Sequence, residues 1–187
     1  MVQYNTQVSF DDEELIVVDK DDNIIDYKTK VVCHEGDGIL HRAFSIFIFN
    51  DQNQLLLQKR SESKLLWPLY WSNSCCSHPR KGENTESAAR RRLQQELGIE
   101  TDLYYLFKFT YHARYKNEGS EKEICSVFIG KSNGPVQINR NEISDWKHID
   151  LRVLNNEFQL TPNKFTPWFK MEWERIQSDF MNNIESL

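Results

Sequence analysis

Apolar positions follow two rhythms along this chain. Residues 15–18 are an apolar run, 19–23 are polar, and Ile24, Ile25 and Tyr27 follow, which predicts a β-hairpin. Over 41–50, Phe44, Ile46 and Ile48 alternate with Ser45, Phe47 and Phe49, so both faces are apolar beyond the start and a buried strand is predicted. A polar turn at 51–54 leads to a second strand at 55–59. Residues 67–79 show neither period and hold aromatics, Cys75, Cys76 and His78, the look of a shaped loop in a site. The rhythm then becomes helical. Thr85 is the predicted N-cap, Ala89, Leu93 and Leu97 make one stripe, and Gly98 is the C-cap. Strands are predicted at 104–115 and 123–130, and a last helix at 167–184, with Trp168, Met171, Ile176 and Phe180 on its inner face.

Strands first and helices later predict an α/β or α+β fold. No repeat, low-complexity tract or linker interrupts the chain, so residues 1–187 are expected to form one domain. The length of 187 residues suffices for a core of its own.

Composition narrows the partners. Lys and Arg total 23 against 28 Asp and Glu, a formal charge of -5, which disfavours nucleic acid. With 39% hydrophobic and 12% aromatic residues the chain is expected to fold. No stretch reaches the roughly 18 to 20 apolar residues of a membrane span, and Asp11, Asp12, Glu13 and Glu14 fall where a signal peptide would be apolar. A cytoplasmic protein without membrane insertion is expected, with Cys33, Cys75, Cys76 and Cys125 as reduced thiols, since adjacent cysteines bridge only with backbone strain. Nothing in the residues sets an oligomeric state.

Three groups carry candidate chemistry. His34, His41, His78, Glu121 and Glu123 are metal-ligating types. The spacing of the two glutamates puts both carboxylates on one side of a strand, and three imidazoles with two carboxylates would fill most of an octahedral shell for Mn²⁺, Mg²⁺ or Zn²⁺. Singly, each histidine also suits an ordinary hydrogen-bonded role, and Glu121 a solvated edge. Cys76 could exchange a proton near neutral pH if its surroundings lower its pKa, or be a small core residue beside Cys75. Arg92 and Glu96 share a helix face, with Glu83 ahead of the first turn; together they could hold a divalent ion and a phosphate, or form an i,i+4 pair on a wet surface.

Residues 77–99 resemble a degenerate Nudix box, with Glu83, Arg91 and the run Glu96, Leu97, Gly98, Ile99. Ser77 replaces the opening glycine, and Arg92 and Gln95 replace two glutamates with which hydrolases gather Mg²⁺. Together with Asn73-Ser74-Cys75-Cys76-Ser77-His78-Pro79, His34 with His41, Glu121-Lys122-Glu123 and Thr166-Pro167-Trp168, this resembles the type 1 isopentenyl-diphosphate Δ-isomerases over about residues 10–175. The resemblance implies mixed β-sheets flanked by helices and a metal site on His34, His41, His78, Glu121 and Glu123. It implies Cys76 and Glu123 as catalytic residues, assisted by Tyr111, with Trp168 facing a carbocation. A diphosphate cradle of Lys30, Arg60, Lys64 and Arg92 is implied as well, with Mg²⁺ between substrate, Glu96 and the carbonyl of Cys76. The partner is a small-molecule diphosphate, and no flavin or nicotinamide is implied. A Nudix hydrolase acting on a diphosphate, or a binding module keeping the fold, are the competing readings; Arg92 and Gln95 disfavour the first.

Overall fold

A computed structural model describes residues 6–187. The chain runs β1 (Glu14–Val18), β2 (Ile24–Thr29), α1 (Lys30–His34), β3 (His41–Phe49), β4 (Leu55–Arg60), β5 (Trp71–Ser72), β6 (Cys75–Ser77) and α2 (Thr85–Leu97). Then follow β7 (Tyr104–Tyr115), β8 (Gly119–Lys131), β9 (Ile143–Ile149), α3 (Leu151–Leu160), α4 (Pro167–Asp179) and α5 (Met181–Glu185). The mixed sheet and its helices agree with the α+β expectation.

β3 is the hub of the sheet. It pairs antiparallel with β1, β4 and β6 and parallel with β8. Its alternating side chains feed two cores. Phe44, Ile46 and Ile48 pack with Leu93 and Leu97 of α2, while Ala43, Phe47 and Phe49 pack with Phe169, Trp173 and Ile176 of α4. An apolar strand with both faces covered is what this sandwich requires. Among the described residues no helix is long and apolar enough to cross a membrane, and the four cysteines are unpaired.

Several elements differ from the sequence expectation. The α2 N-cap is Asn84, not Thr85: its side chain accepts from the amides of Glu86 and Ser87. Gly98 closes the helix at φ 67°, as expected of a C-cap glycine. The aperiodic stretch 67–79 contains β5 and β6, too short to show a period. The strand expected from residue 123 begins at Gly119, so Glu121 and Glu123 both lie in β8. The last helix breaks at Phe180 (φ −128°) into α4 and α5, and Met171 is 38% exposed; Phe169 and Trp173 take the inner face with Trp168 and Ile176. α1, β9 and α3 were not expected from the sequence, although Asp150 as N-cap and Leu151, Leu154 and Phe158 at helical spacing mark α3.

Candidate active site

The register of the sheet assembles the site. β3 pairs with β8 so that His41 lies opposite Glu123, and with β6 so that Ser45 lies opposite Cys76. His34 comes from the end of α1 and His78 follows β6. Ligand atoms of His34, His41, His78, Glu121 and Glu123 all lie within 4.8 Å of one another, and the three imidazole centroids are 4.9 to 5.1 Å apart. Gly119, at the start of β8, lets the β7–β8 hairpin abut α1: a Cβ there would sit 2.4 Å from the carbonyl oxygen of His34.

Hydrogen bonds aim these rings inward. Nδ1 of His34 is bonded to the carbonyl of Lys30 and Nδ1 of His41 to that of Ile39, both at 2.7 Å. Carbonyls only accept, so each Nδ1 carries a proton, which leaves Nε2 as the position from which a neutral ring would bind a metal. His41 Nε2 and Glu121 Oε2 are buried without a hydrogen-bond partner, although Glu121 Oε2 lies 2.8 Å from His34 Nε2. A buried polar atom left unpaired costs free energy, and one divalent ion would relieve both. The nitrogen and oxygen donors therefore fit Mn²⁺, Mg²⁺ or Zn²⁺. Burial, reinforced by His41 and His34, holds His78 well below the usual imidazole range, so it is neutral as a ligand must be.

A cavity of about 520 Å³ opens beside the cluster. Lys30, Arg60, Lys64, Arg92, Cys76, Tyr111 and Trp168 line it with His34, His78, Glu121 and Glu123. His41 stands behind that wall, fully buried, and Glu96 stands behind Arg92. The Tyr111 hydroxyl donates to Glu123 Oε2 at 2.6 Å, and Glu123 Oε1 lies 2.8 Å from His78 Nε2. Burial and the Glu123 carboxylate push the phenol well above its ordinary pKa, so it keeps its proton. For Glu123, burial acts upward, but His41 and Tyr111 outweigh it and hold the carboxyl below its ordinary value.

For Cys76 the sequence left open whether its surroundings lower its pKa. Burial pushes its thiol up to about 12, although Arg60 pulls the other way with Nη1 at 4.0 Å from Sγ. Arg60 is itself fixed by the carbonyls of Leu66 and Trp67 and lies 5.2 Å from the centre of the Trp168 ring. Trp67 adopts a left-handed backbone (φ 47°) and meets Trp168 edge-on at 5.2 Å; strain of this kind collects at functional sites.

The α2 residues also depart from the wet-surface alternative. Arg92 and Glu96 form an i,i+4 pair at 2.6 Å, each side chain only 3% exposed. Glu83 is not with them; it pairs with Arg91 at 2.7 Å. Sequence reasoning missed two acids. Glu142, just before β9, receives Lys64 and Arg92 and lines the cavity. Glu172 of α4 is fully buried against Cys125. Glu142 has no motif around it, whereas Glu172 sits at helical spacing between Trp168 and Ile176, a charge on an apolar stripe that could have marked it. Ser9, on the segment before β1, bonds Lys30, and the carbonyl of Val8 accepts from Arg92.

Fold and site define a Nudix protein: residues 39–169 match the NUDIX domain family. DR0079 from Deinococcus radiodurans has the same fold, with a TM-score of 0.66 at 22% identity over 80% of this chain and 90% of its own. MutT protein from Methanosarcina mazei Go1 gives 0.63 at 17% identity, over 76% and 96%. Closer in sequence, isopentenyl-diphosphate Delta-isomerase 1 of Photorhabdus laumondii is 39% identical over 174 residues, 92% of this chain and 99% of its own. Isopentenyl-diphosphate Delta-isomerase of Serratia proteamaculans is 45% identical over 158 residues, 84% and 88% of the two chains. The chain belongs to the isopentenyl-diphosphate Delta-isomerase family.

Proposed function

We propose that this protein interconverts isopentenyl diphosphate and dimethylallyl diphosphate, moving a double bond by one carbon in isoprenoid precursor synthesis. One observation carries the reading: the Tyr111–Glu123 pair, the Cys76 thiol and the Trp168 face converge on a cavity whose other wall is cationic.

The alkene is unactivated, so protonating it creates a tertiary carbocation. The proton donors at the wall are the buried Tyr111 phenol, hydrogen-bonded to Glu123, and the half-buried Cys76 thiol. One face delivers a proton to the terminal alkene carbon, and the group on the other face removes one from the chain methylene on the far side of the cationic carbon. Trp168 offers its π-face to the cation, an interaction worth up to ~2 kcal/mol where water is excluded. Trp168 and Tyr111 are 3% and 6% exposed, so both rings are withdrawn from bulk solvent.

His34, His41, His78, Glu121 and Glu123 would hold a divalent ion, which when bound supplies a fixed positive charge that orients Glu123 and tunes its acidity. Lys30, Arg60, Lys64 and Arg92 would receive the diphosphate, and Glu96 with the carbonyl of Cys76 would hold its Mg²⁺, which when bound would offset part of the phosphate charge. The chemistry needs no redox cofactor. The four unpaired thiols support a cytosolic setting.

The test is incubation of purified protein with isopentenyl diphosphate and Mg²⁺ in D₂O under proton NMR. Dimethylallyl diphosphate carrying deuterium is expected. Intact, unexchanged substrate would overturn the reading, and released phosphate would instead mark a hydrolase.

A further inference from the structure

Glu142 is an anion at the centre of a site meant for an anion. It is 3% exposed, lines the cavity, accepts from Lys64 and lies 3.2 Å from Nη2 of Arg92. Burial acts to raise its pKa, but Lys64 and Arg92 outweigh burial and keep the carboxyl ionised. Lys30 belongs to the same cluster. Burial and the Lys64 charge lower its pKa to about 8, and Glu142 is the largest influence holding it up.

The backbone fixes this carboxylate in place. The Glu142 amide donates to the carbonyl of Asn139 at 3.0 Å, its carbonyl accepts from the Ser61 amide at 2.9 Å, and the Asn139 amide bonds the carbonyl of Glu96 at 2.8 Å. Glu142 therefore holds the donors that a diphosphate must use. A free diphosphate, with about three negative charges, meets both competition for Lys64 and Arg92 and repulsion from a poorly screened carboxylate. With Mg²⁺ attached, two of those charges are cancelled and the carboxylate becomes tolerable.

We propose that Glu142 is the specificity determinant that makes the cationic cradle accept a diphosphate as its magnesium complex and reject the metal-free anion. This inference rests on the diphosphate reading of Lys30, Arg60, Lys64 and Arg92. Glu142 touches neither the reacting carbons nor the histidine cluster; it acts by setting the charge of the cradle.

The experiment is calorimetric titration of inorganic pyrophosphate into zinc-loaded, desalted protein, with and without excess Mg²⁺. Wild type should bind the magnesium complex at least about 30-fold more tightly than the free anion. Glu142→Gln should bind metal-free pyrophosphate about tenfold or more tightly than wild type, with the magnesium complex changed less than about threefold. Glu142→Asp, which keeps the charge, should retain the wild-type preference. Metal-free affinity that is unchanged or weakened in Glu142→Gln overturns the inference. Loss of magnesium–pyrophosphate binding in Lys64→Met and Arg60→Met tests the cradle itself; wild type that binds no magnesium–pyrophosphate overturns both. Should Glu142→Gln not fold, thermal melting of wild type decides the point: magnesium–pyrophosphate should raise Tm, and the same concentration of free pyrophosphate should not. Equal shifts overturn the proposal.

Discussion

The phenol of Tyr111 donates to Glu123 at 2.6 Å, and the two residues face each other directly across the β7–β8 ladder. This places a proton that burial protects from ionisation on a carboxylate shared between cavity and histidine cluster. Tyr111→Phe removes that proton and little else from a packed site. Turnover should fall about 10²- to 10⁴-fold while Tm moves little, measured by steady-state kinetics beside a thermal melt. A loss of activity matched by loss of fold would count against a proton-transfer role.

Gly119 gives a second prediction. A methyl group there would meet the His34 carbonyl oxygen at 2.4 Å, so Gly119→Ala must push α1 away from β8. The expected result is a loss of about 1–3 kcal/mol in stability and, in inductively coupled plasma measurement of the purified protein, metal content well below one ion per chain. Full metal content would show that the hairpin tolerates the shift.

Arg92 predicts a stability effect that a binding experiment alone would misread. Its guanidinium is the partner of Glu96 and Glu142, all three nearly inaccessible. Arg92→Ala strands the buried Glu96 carboxylate and leaves Glu142 with Lys64 alone, which should cost about 3–5 kcal/mol in urea unfolding. Any weakening of substrate binding in this variant mixes lost contact with lost fold. Lys64, which is less enclosed, is the cleaner probe of diphosphate binding.

Glu172 makes stability depend on pH. Burial pushes its carboxyl up to about 8, with bonds from Ser45 and Cys125 offsetting only part of that. An unfolded glutamate titrates near ~4.3, so between these values the folded chain holds a proton that the unfolded chain has lost. Stability from this group therefore falls as pH rises through the window, and the whole cost is present above about pH 8. Glu172→Gln abolishes the slope. The Tm of the variant minus that of wild type should grow by several degrees from pH 5 to pH 8.5; a constant difference would mean that Glu172 is ionised throughout.

The strands and helices with strong periods were legible in the residues: β1 with β2, β3, β4, α2 and β7 lie close to their expected places. β9 was not, because its apolar residues Ile143, Trp146 and Ile149 recur every third position and never alternate. α1 is too short to display a period. The metal candidates were visible as residue types, and the resemblance gathered them, but the reason they meet is the parallel register of His41 with Glu123. Parallel pairing between strands so distant in sequence leaves no local signal. Glu142 escaped for a related cause: its partners Lys64 and Arg92 come from two other segments, and only tertiary structure brings the three together. The direction of the Cys76 shift could not be read from the residues, because sequence shows neighbouring charges but not burial, and here burial outweighs Arg60.

The five candidate ligands are held with very unequal firmness. His41 is locked in the central strand, and Glu121 and Glu123 lie in the long β7–β8 ladder. His34 ends a five-residue helix whose N-cap makes no side-chain hydrogen bond and whose Val31 and Val32 are about 40% exposed. So short a helix frays far more readily than a sheet opens. A bound ion would then escape by the unwinding of one helical turn before any strand of the sheet had to open.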